Sequence, residues 1–289
     1  MELGRFGVWT SYRAIGEGNA GEAAKLVEEL GFGTFWLGGS PQLPALRPLL
    51  EATERIVVAT GILNLWQSEP AQVARDFAQL GREFPGRVLL GIGAGHPEAT
   101  DRYIKPLAAM RRFLDALDSA ADPVPRDRRC LAALAPKMLA LSAERSLGSH
   151  TYFVAVAHTR AARDRLGEGP LLAPELACVV DDDVESARAT ARAYAKMYLA
   201  LSNYTRGLRA AGFSDRDIAE GGSDRLIDTV IPHGTANEIA AVAHQHVAAG
   251  ANHVCLQPVG VAGIPHSEWT ALASALGAGS PSATGTPRR

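Results

Sequence analysis

The stretch GIGAGHPE, residues 91–98, sets three alternating glycines and a histidine, His96, directly after an apolar run. Glycine lets a ligand approach the main chain, and histidine titrates near neutral pH, so phosphate cradling and proton transfer are the chemistries to weigh. A dinucleotide fingerprint needs G-x-G-x-x-G opening a helix. Here its third glycine position holds His96, followed by Pro97. The phosphate loop G-x-x-x-x-G-K-[ST] and the nucleophile elbow G-x-S-x-G occur nowhere in the chain. A metal site is not expected: His244 and His246 lie two apart on a helical pattern and face different ways, and His253 stands alone. By spacing alone, residues 91–98 read as the C-terminal end of a barrel strand against which a planar ligand lies, or as a tight strand-to-helix turn without one.

Something must position that turn. Eight short apolar runs recur between helical patterns: residues 6–10, 34–37, 56–60, 88–92, 130–134, 152–156, 177–180 and 253–257. Their apolarity is continuous rather than alternating, which suits strands covered on both faces in a parallel sheet. Asn19 with Glu22 reads as a capping pair before the apolar face of Ala23, Leu26, Val27 and Leu30, ended by Gly31. Thr235 with Glu238 repeats the device before Ile239, Val242, Ala243, His246 and Val247, ended by Gly250. Eight β-α units predict an α/β fold of the (β/α)8 barrel type, with a doubly wound sheet as the second choice. Residues 184–209 and the segment GFSDRDIAEGGSDRLID after them exceed a simple crossover, and predict an insertion between strands 7 and 8. No internal linker appears, so residues 1–276 read as one domain, with a small, polar, disordered tail over 277–289.

Composition narrows the function. With 47% hydrophobic residues, a net charge of −2 and no basic stripe, nucleic acid is not the expected partner. No leader or bilayer-length apolar run is visible, and Cys130, Cys178 and Cys255 are widely spaced within apolar runs. The expectation is a soluble, cytoplasmic protein with reduced thiols, acting on a small molecule and neither on nucleic acid nor at a membrane.

Residues 57–98 resemble the third and fourth strands of the luciferase-like monooxygenase superfamily, and more closely its branch of actinobacterial oxidoreductases that use the deazaflavin coenzyme F420. Residues 102–118, 131–159, 169–180, 198–213 and 248–258 carry the same resemblance in the same order, so it spans nearly the whole chain except the tail. It implies the barrel fold, a cofactor cleft at the strands' C-terminal ends and a homodimer by analogy.

The resemblance also implies roles. Gly61 and Ile62 match a bulge, often with a cis non-prolyl bond, that presses on the cofactor ring, and Asn64 just beyond it bonds a polar ring edge. Gly93, Ala94 and Gly95 skirt the ring. His96 takes the acid/base or substrate-anchoring position, where several relatives place a glutamate. Ala133, Leu134 and Ala135 match the loop whose N–H groups hold the phosphate arm, with Lys137 as a supplementary cation. Gly148, Ser149 and His150 line that arm, and Trp9, Trp66, Asn203 and Tyr204 wall the substrate cleft. Two departures stand out: relatives carry glycine where this chain has Ala135, and Asp-Gly where it has Leu147-Gly148. The end of the second strand, WLGGSP, has neither the histidine nor the aspartate of sugar-phosphate dehydrogenases in this superfamily, so a sugar phosphate is not the expected substrate. The implied activity is F420-dependent hydride transfer to or from a small organic molecule. The alternatives are an FMN-dependent monooxygenase and a non-catalytic member that binds a cofactor or other ligand.

Overall fold

A computed structural model describes residues 1–95 and 105–279. Eight parallel strands close into a barrel: β1 (Phe6–Ser11), β2 (Thr34–Gly38), β3 (Val57–Thr60), β4 (Val88–Gly93), β5 (Arg129–Ala132), β6 (Gly148–Thr151), β7 (Leu171–Val180) and β8 (Val254–Pro258). Closure is direct, because β8 pairs with β7 through Cys255 opposite Glu175 and with β1 through Cys255 opposite Gly7. Helices wrap the outside and bury the main core, in which Phe35, Leu37, Leu90 and Trp269 are fully or almost fully enclosed. This is the TIM barrel that the pattern of covered strands predicts. Among the described residues no helix is long and apolar enough to cross a membrane.

The expected insertion lies between β7 and β8. It carries helices Val184–Leu199, Ser202–Ala210, Asp215–Ile218 and Asp224–Val230, and returns through the short strand His233–Gly234 beside the end of β7. Asp183 caps the first of these helices, accepting from the N–H groups of Glu185 and Ser186. The insertion has its own apolar core, which includes Ala187, Ala191, Leu226 and Ile227 and continues onto Phe153 and Val179 of the barrel.

Local expectations fared unequally. Thr235 and Glu238 form the predicted capping box. Asn19 does not cap: its side chain donates back to Ile15 O at 2.7 Å, a competing local bond that short amides readily make. The sixth strand is Gly148–Thr151, not residues 152–156; the aromatic run there forms a turn and the start of helix Val156–Leu166. The expected tail is partly placed, since Gly277 closes the last helix in a left-handed conformation and Ala278 N donates to Ala273 O. Residues 280–289 lie outside the described residues.

One irregularity shapes the mouth. Ala59 pairs with Leu89, but Leu63, in the short strand Leu63–Asn64 that continues β3, pairs with Ile92: four residues advance on one strand against three on the other. That register change is a β-bulge at Gly61–Ile62, and the peptide joining those two residues is cis. Its neighbour strand makes room. A Cβ on Gly91 would sit 2.0 Å from Thr60 O, and one on Gly93 would sit 2.5 Å from Ile62 Cδ1. Gly91→Ala should therefore cost about 2–3 kcal/mol of stability through overpacking. Gly81→Ala, in a helix with nothing within 4 Å of the added carbon, should gain about 0.5–1 kcal/mol. Urea unfolding midpoints of the two variants check both signs.

Candidate active site

Barrel stagger arranges the inward side chains in tiers drawn from alternate strands. In one tier Trp36 of β2 stacks on His150 of β6, with ring centroids 4.4 Å apart and planes 12° from parallel. Trp36 also donates its indole N–H to His253 Nε2 at 3.2 Å. The tier nearer the mouth holds Trp9, Gly61, Ala132 and Glu175, from β1, the bulge, β5 and β7. Small residues on the bulge side leave Ile62, half-buried, as the side chain that reaches over Gly93. Trp9 lies across the same tier. A Cβ on Gly38 would fall 2.1 Å from its ring and one on Gly61 would fall 2.6 Å from its Nε1, which has no hydrogen-bond partner among the described residues.

Beyond the bulge, one small network fixes both strand exits. Asn64 Oδ1 accepts from Trp66 N at 3.0 Å, and Trp66 Nε1–H donates to Ala94 O at 2.5 Å. Gly95 is left-handed at φ 62°, where an added Cβ would meet the Asn64 amide at 3.1 Å. The structure thus gathers Gly61, Ile62, Asn64, Trp66, Gly93, Ala94 and Gly95 into one patch of the rim. At Gly91 and Gly93 an added side chain would strike Thr60 and Ile62. His96 lies outside the described residues.

Next around the rim is helix Pro136–Arg145, which opens with Ala135 at the N-cap and Pro136 at the first position, and has no side-chain cap. Among the described residues the amides of Leu134, Ala135 and Lys137 have no intramolecular acceptor. One departure from expectation occurs here: the Ala133 N–H is committed to His150 O at 3.3 Å. The Leu134 carbonyl lies 3.1 Å from His158 Nε2, which leaves the Leu134 N–H unengaged among the described residues. Lys137 is exposed on the helix's first turn.

Gly148, Ser149 and His150 are placed differently from the expectation that they line a cofactor arm. With β6 beginning at Gly148, they occupy the barrel wall. Gly148 lies so close to Leu171 that a Cβ would fall 2.0 Å from its carbonyl oxygen, and His150 Nδ1 is 2.8 Å from Ala173 O. Burial, reinforced by the nearby His253, pushes the His150 pKa down to about 4, so its ring is neutral.

The opposite wall is aromatic. Tyr152 OH lies 2.8 Å from Tyr194 OH, 3.0 Å from Tyr198 OH and 2.9 Å from Gln257 Oε1, while its ring is 5.1 Å from Trp9. Tyr204 packs on Tyr198 and Phe153 at 5.3 Å and 5.7 Å, and Asn203 beside it is half-buried on the same helix. Tyr152, Tyr194, Tyr198 and Gln257 were not singled out by the sequence, nor was Glu175. The available signal was a carboxylate set within the apolar run LLAPELACVV. Glu175 is 1% exposed, and burial pushes its pKa up to about 8 against the opposing Phe153 N–H.

A sequence model of the luciferase-like monooxygenase family matches residues 2–253. An F420-dependent glucose-6-phosphate dehydrogenase of Microbacterium testaceum is 32% identical over 34% of this chain and 37% of its own length. The chain covers between 29% and 37% of the curated relatives it matches. Among solved structures, an F420-dependent secondary alcohol dehydrogenase in complex with an F420-acetone adduct superposes with a TM-score of 0.74 at 17% identity, covering 96% of this chain and 99% of that one. The oxygenating constituent of 3,6-diketocamphane monooxygenase from Pseudomonas putida, in complex with FMN, superposes at 0.69 with 13% identity, covering 97% and 98%.

The buried titratable groups make stability pH-dependent. His150, His246 and His253 are each held down to about 4, chiefly by burial, so the unfolded chain takes up protons below about pH 6.5 that the fold refuses. Stability is therefore lost as pH falls. Glu175 acts oppositely: its raised pKa means that unfolding releases a proton above about pH 4.3, and stability declines until about 8 at about 1.4 kcal/mol per pH unit. Urea titrations across pH should find a stability maximum near about pH 6.5. A steady rise to pH 8 contradicts this assignment.

Proposed function

The chain belongs to the luciferase-like monooxygenase family, and from that premise we propose that it is an F420-dependent oxidoreductase acting on a small organic substrate. One observation carries the reading. The β3 bulge with Ile62 and an uncapped helix N-terminus at Ala135 sit on neighbouring parts of one barrel mouth, in a chain whose relatives include F420-dependent enzymes.

The donor set suits such a cofactor. The uncapped amides around Ala135 and the positive end of helix Pro136–Arg145 favour an anionic linker, with Lys137 adding a cation at the surface. Trp9 Nε1, buried beside Gly61 with no partner among the described residues, is a further donor at the bulge. When bound, the deazaflavin supplies or accepts the hydride at C5. The chain's own residues do the rest: Ile62 props the ring from the bulge, Asn64 and Trp66 hold the strand exits in place, and the tyrosine wall limits water. His96, next in sequence after Gly95, supplies or removes the balancing proton near neutral pH. A sugar phosphate is not the proposed substrate, because the end of β2 and the residues after it, Gly38, Gly39, Ser40 and Pro41, include neither the histidine nor the aspartate that sugar-phosphate dehydrogenases of this superfamily carry there. A homodimer and a cytoplasmic setting belong to the same reading by analogy.

An FMN-bound neighbour with the same fold makes monooxygenation the second reading. Equilibrium binding of F420 and of FMN to the purified protein separates the two. Tighter binding of F420 is expected; preference for FMN with oxygen uptake driven by reduced flavin would reverse the assignment. Tight F420 binding without turnover on any carbonyl or alcohol tried points to a carrier instead. Lys137→Ala should weaken F420 binding about 2–5-fold and flatten its salt dependence, as an exposed cation contributes little. His96→Ala should lower the transfer rate about 10²–10⁴-fold with little change in cofactor affinity.

A further inference from the structure

Glu175 is a buried carboxyl for which the proposed chemistry has no use. It projects into the barrel from β7, opposite Cys255 and one tier below Gln257. Its Oε2 accepts the Phe153 N–H at 3.1 Å, while Oε1 is buried with no partner among the described residues. Leaving a buried polar atom unpaired is unfavourable, so an apolar residue of similar size would be cheaper in stability terms. The bond it does make falls on an unusual residue. Phe153 is left-handed at φ 55°, a conformation that bulky side chains rarely adopt unless their surroundings hold them.

That residue is where barrel and insertion meet. The Phe153 ring stacks on Tyr198 at 4.9 Å, with planes 20° apart, and Tyr152 next to it forms the hydroxyl cluster with Tyr194, Tyr198 and Gln257. Both residues belong to one turn, leaving β6 at the point where Glu175 reaches it. We propose that Glu175 is a positioning residue: an uncharged carboxyl that fixes the Tyr152–Phe153 turn, and through it the tyrosine wall of the mouth, and that loosens this wall when it ionises.

The surroundings support an uncharged state. The titratable groups that face Glu175 are Tyr152 on the turn, Tyr194 and Tyr198 on helix Val184–Leu199, Tyr204 on helix Ser202–Ala210 and Cys255 on β8, while Cys178 lies near it on the other face of its own strand. None is a cation, and burial raises the pKa of every one. His150 in the adjacent tier is neutral. Among the described residues a carboxylate there would have only the Phe153 N–H to compensate its lost hydration, so ionisation favours any movement that lets water in.

The assignment rests on the redox reading only for what the wall faces, so its test begins without cofactor. Near-UV circular dichroism reports the packing of the tyrosine cluster, and the wild-type signal should fall by more than about half between about pH 7 and 9, with far-UV signal retained. Glu175→Gln keeps an acceptor for the Phe153 N–H and cannot ionise, so its signal should stay level over that range. Glu175→Leu should show a reduced signal at every pH, provided its far-UV spectrum is native; where it fails to fold, the Gln variant decides. The proposal is overturned if Glu175→Gln loses signal as the wild type does, or if a folded Glu175→Leu retains the full wild-type signal. F420 binding measured in parallel should weaken with pH in the wild type and not in Glu175→Gln. Absence of F420 binding by the wild type at pH 7 would remove the cofactor assignment, and the dichroism comparison would still decide the role of Glu175.

Discussion

Parallel strands in a closed barrel share a single register, so a residue added to one strand must be absorbed by the strand beside it. Here the addition is at Gly61–Ile62, and β4 absorbs it by having no side chain at Gly91 or Gly93. The remaining features of the mouth follow from that accommodation. Ile62 turns inward over the bare strand, Trp9 finds space to lie across Gly38 and Gly61, and the continuation at Leu63–Asn64 brings Asn64 and Trp66 to the exit of β4. Filling either glycine would disturb all of these together.

The two sides of the mouth are built on different principles. The side formed by β2 to β5 is made of backbone and small residues, with an uncapped helix end beside it. The side formed by β6 to β8 and the insertion is made of interlocked phenols whose hydroxyls satisfy one another and Gln257. Between them the interior holds uncharged groups, since burial keeps His150 and His253 neutral at ordinary pH and holds Glu175 largely protonated up to about 8. Such an interior offers a new charge little to pair with.

Much of this was legible in the sequence. The barrel and the insertion follow from continuous apolar runs and from the excess length after residue 184, and the bulge position follows from the family resemblance of residues 57–98. The sixth strand was not legible, because GSHT is polar by composition while its interior position is made acceptable by a stacked indole and a carbonyl acceptor from β7, both distant in sequence. The displaced strand carried His150 away from the rim, and with it the expected lining of the arm. Asn19 does not cap its helix because a local bond to Ile15 O competes, a choice its sequence spacing does not reveal. Glu175 and Tyr152 owe their significance to partners 22 to 105 residues away, which no local pattern encodes.

The three thiols are also placed with effect. Cys130, Cys178 and Cys255 are unpaired and fully enclosed, and desolvation drives each well above the ordinary thiol range. Alkylating reagents need both access and thiolate, and the native fold denies them both. A single cysteine engineered onto an exposed position, such as Met197 on the insertion, would then be the one reactive sulfur among the described residues. Fluorophores or spin probes attached there would report on the insertion without any native cysteine having to be removed.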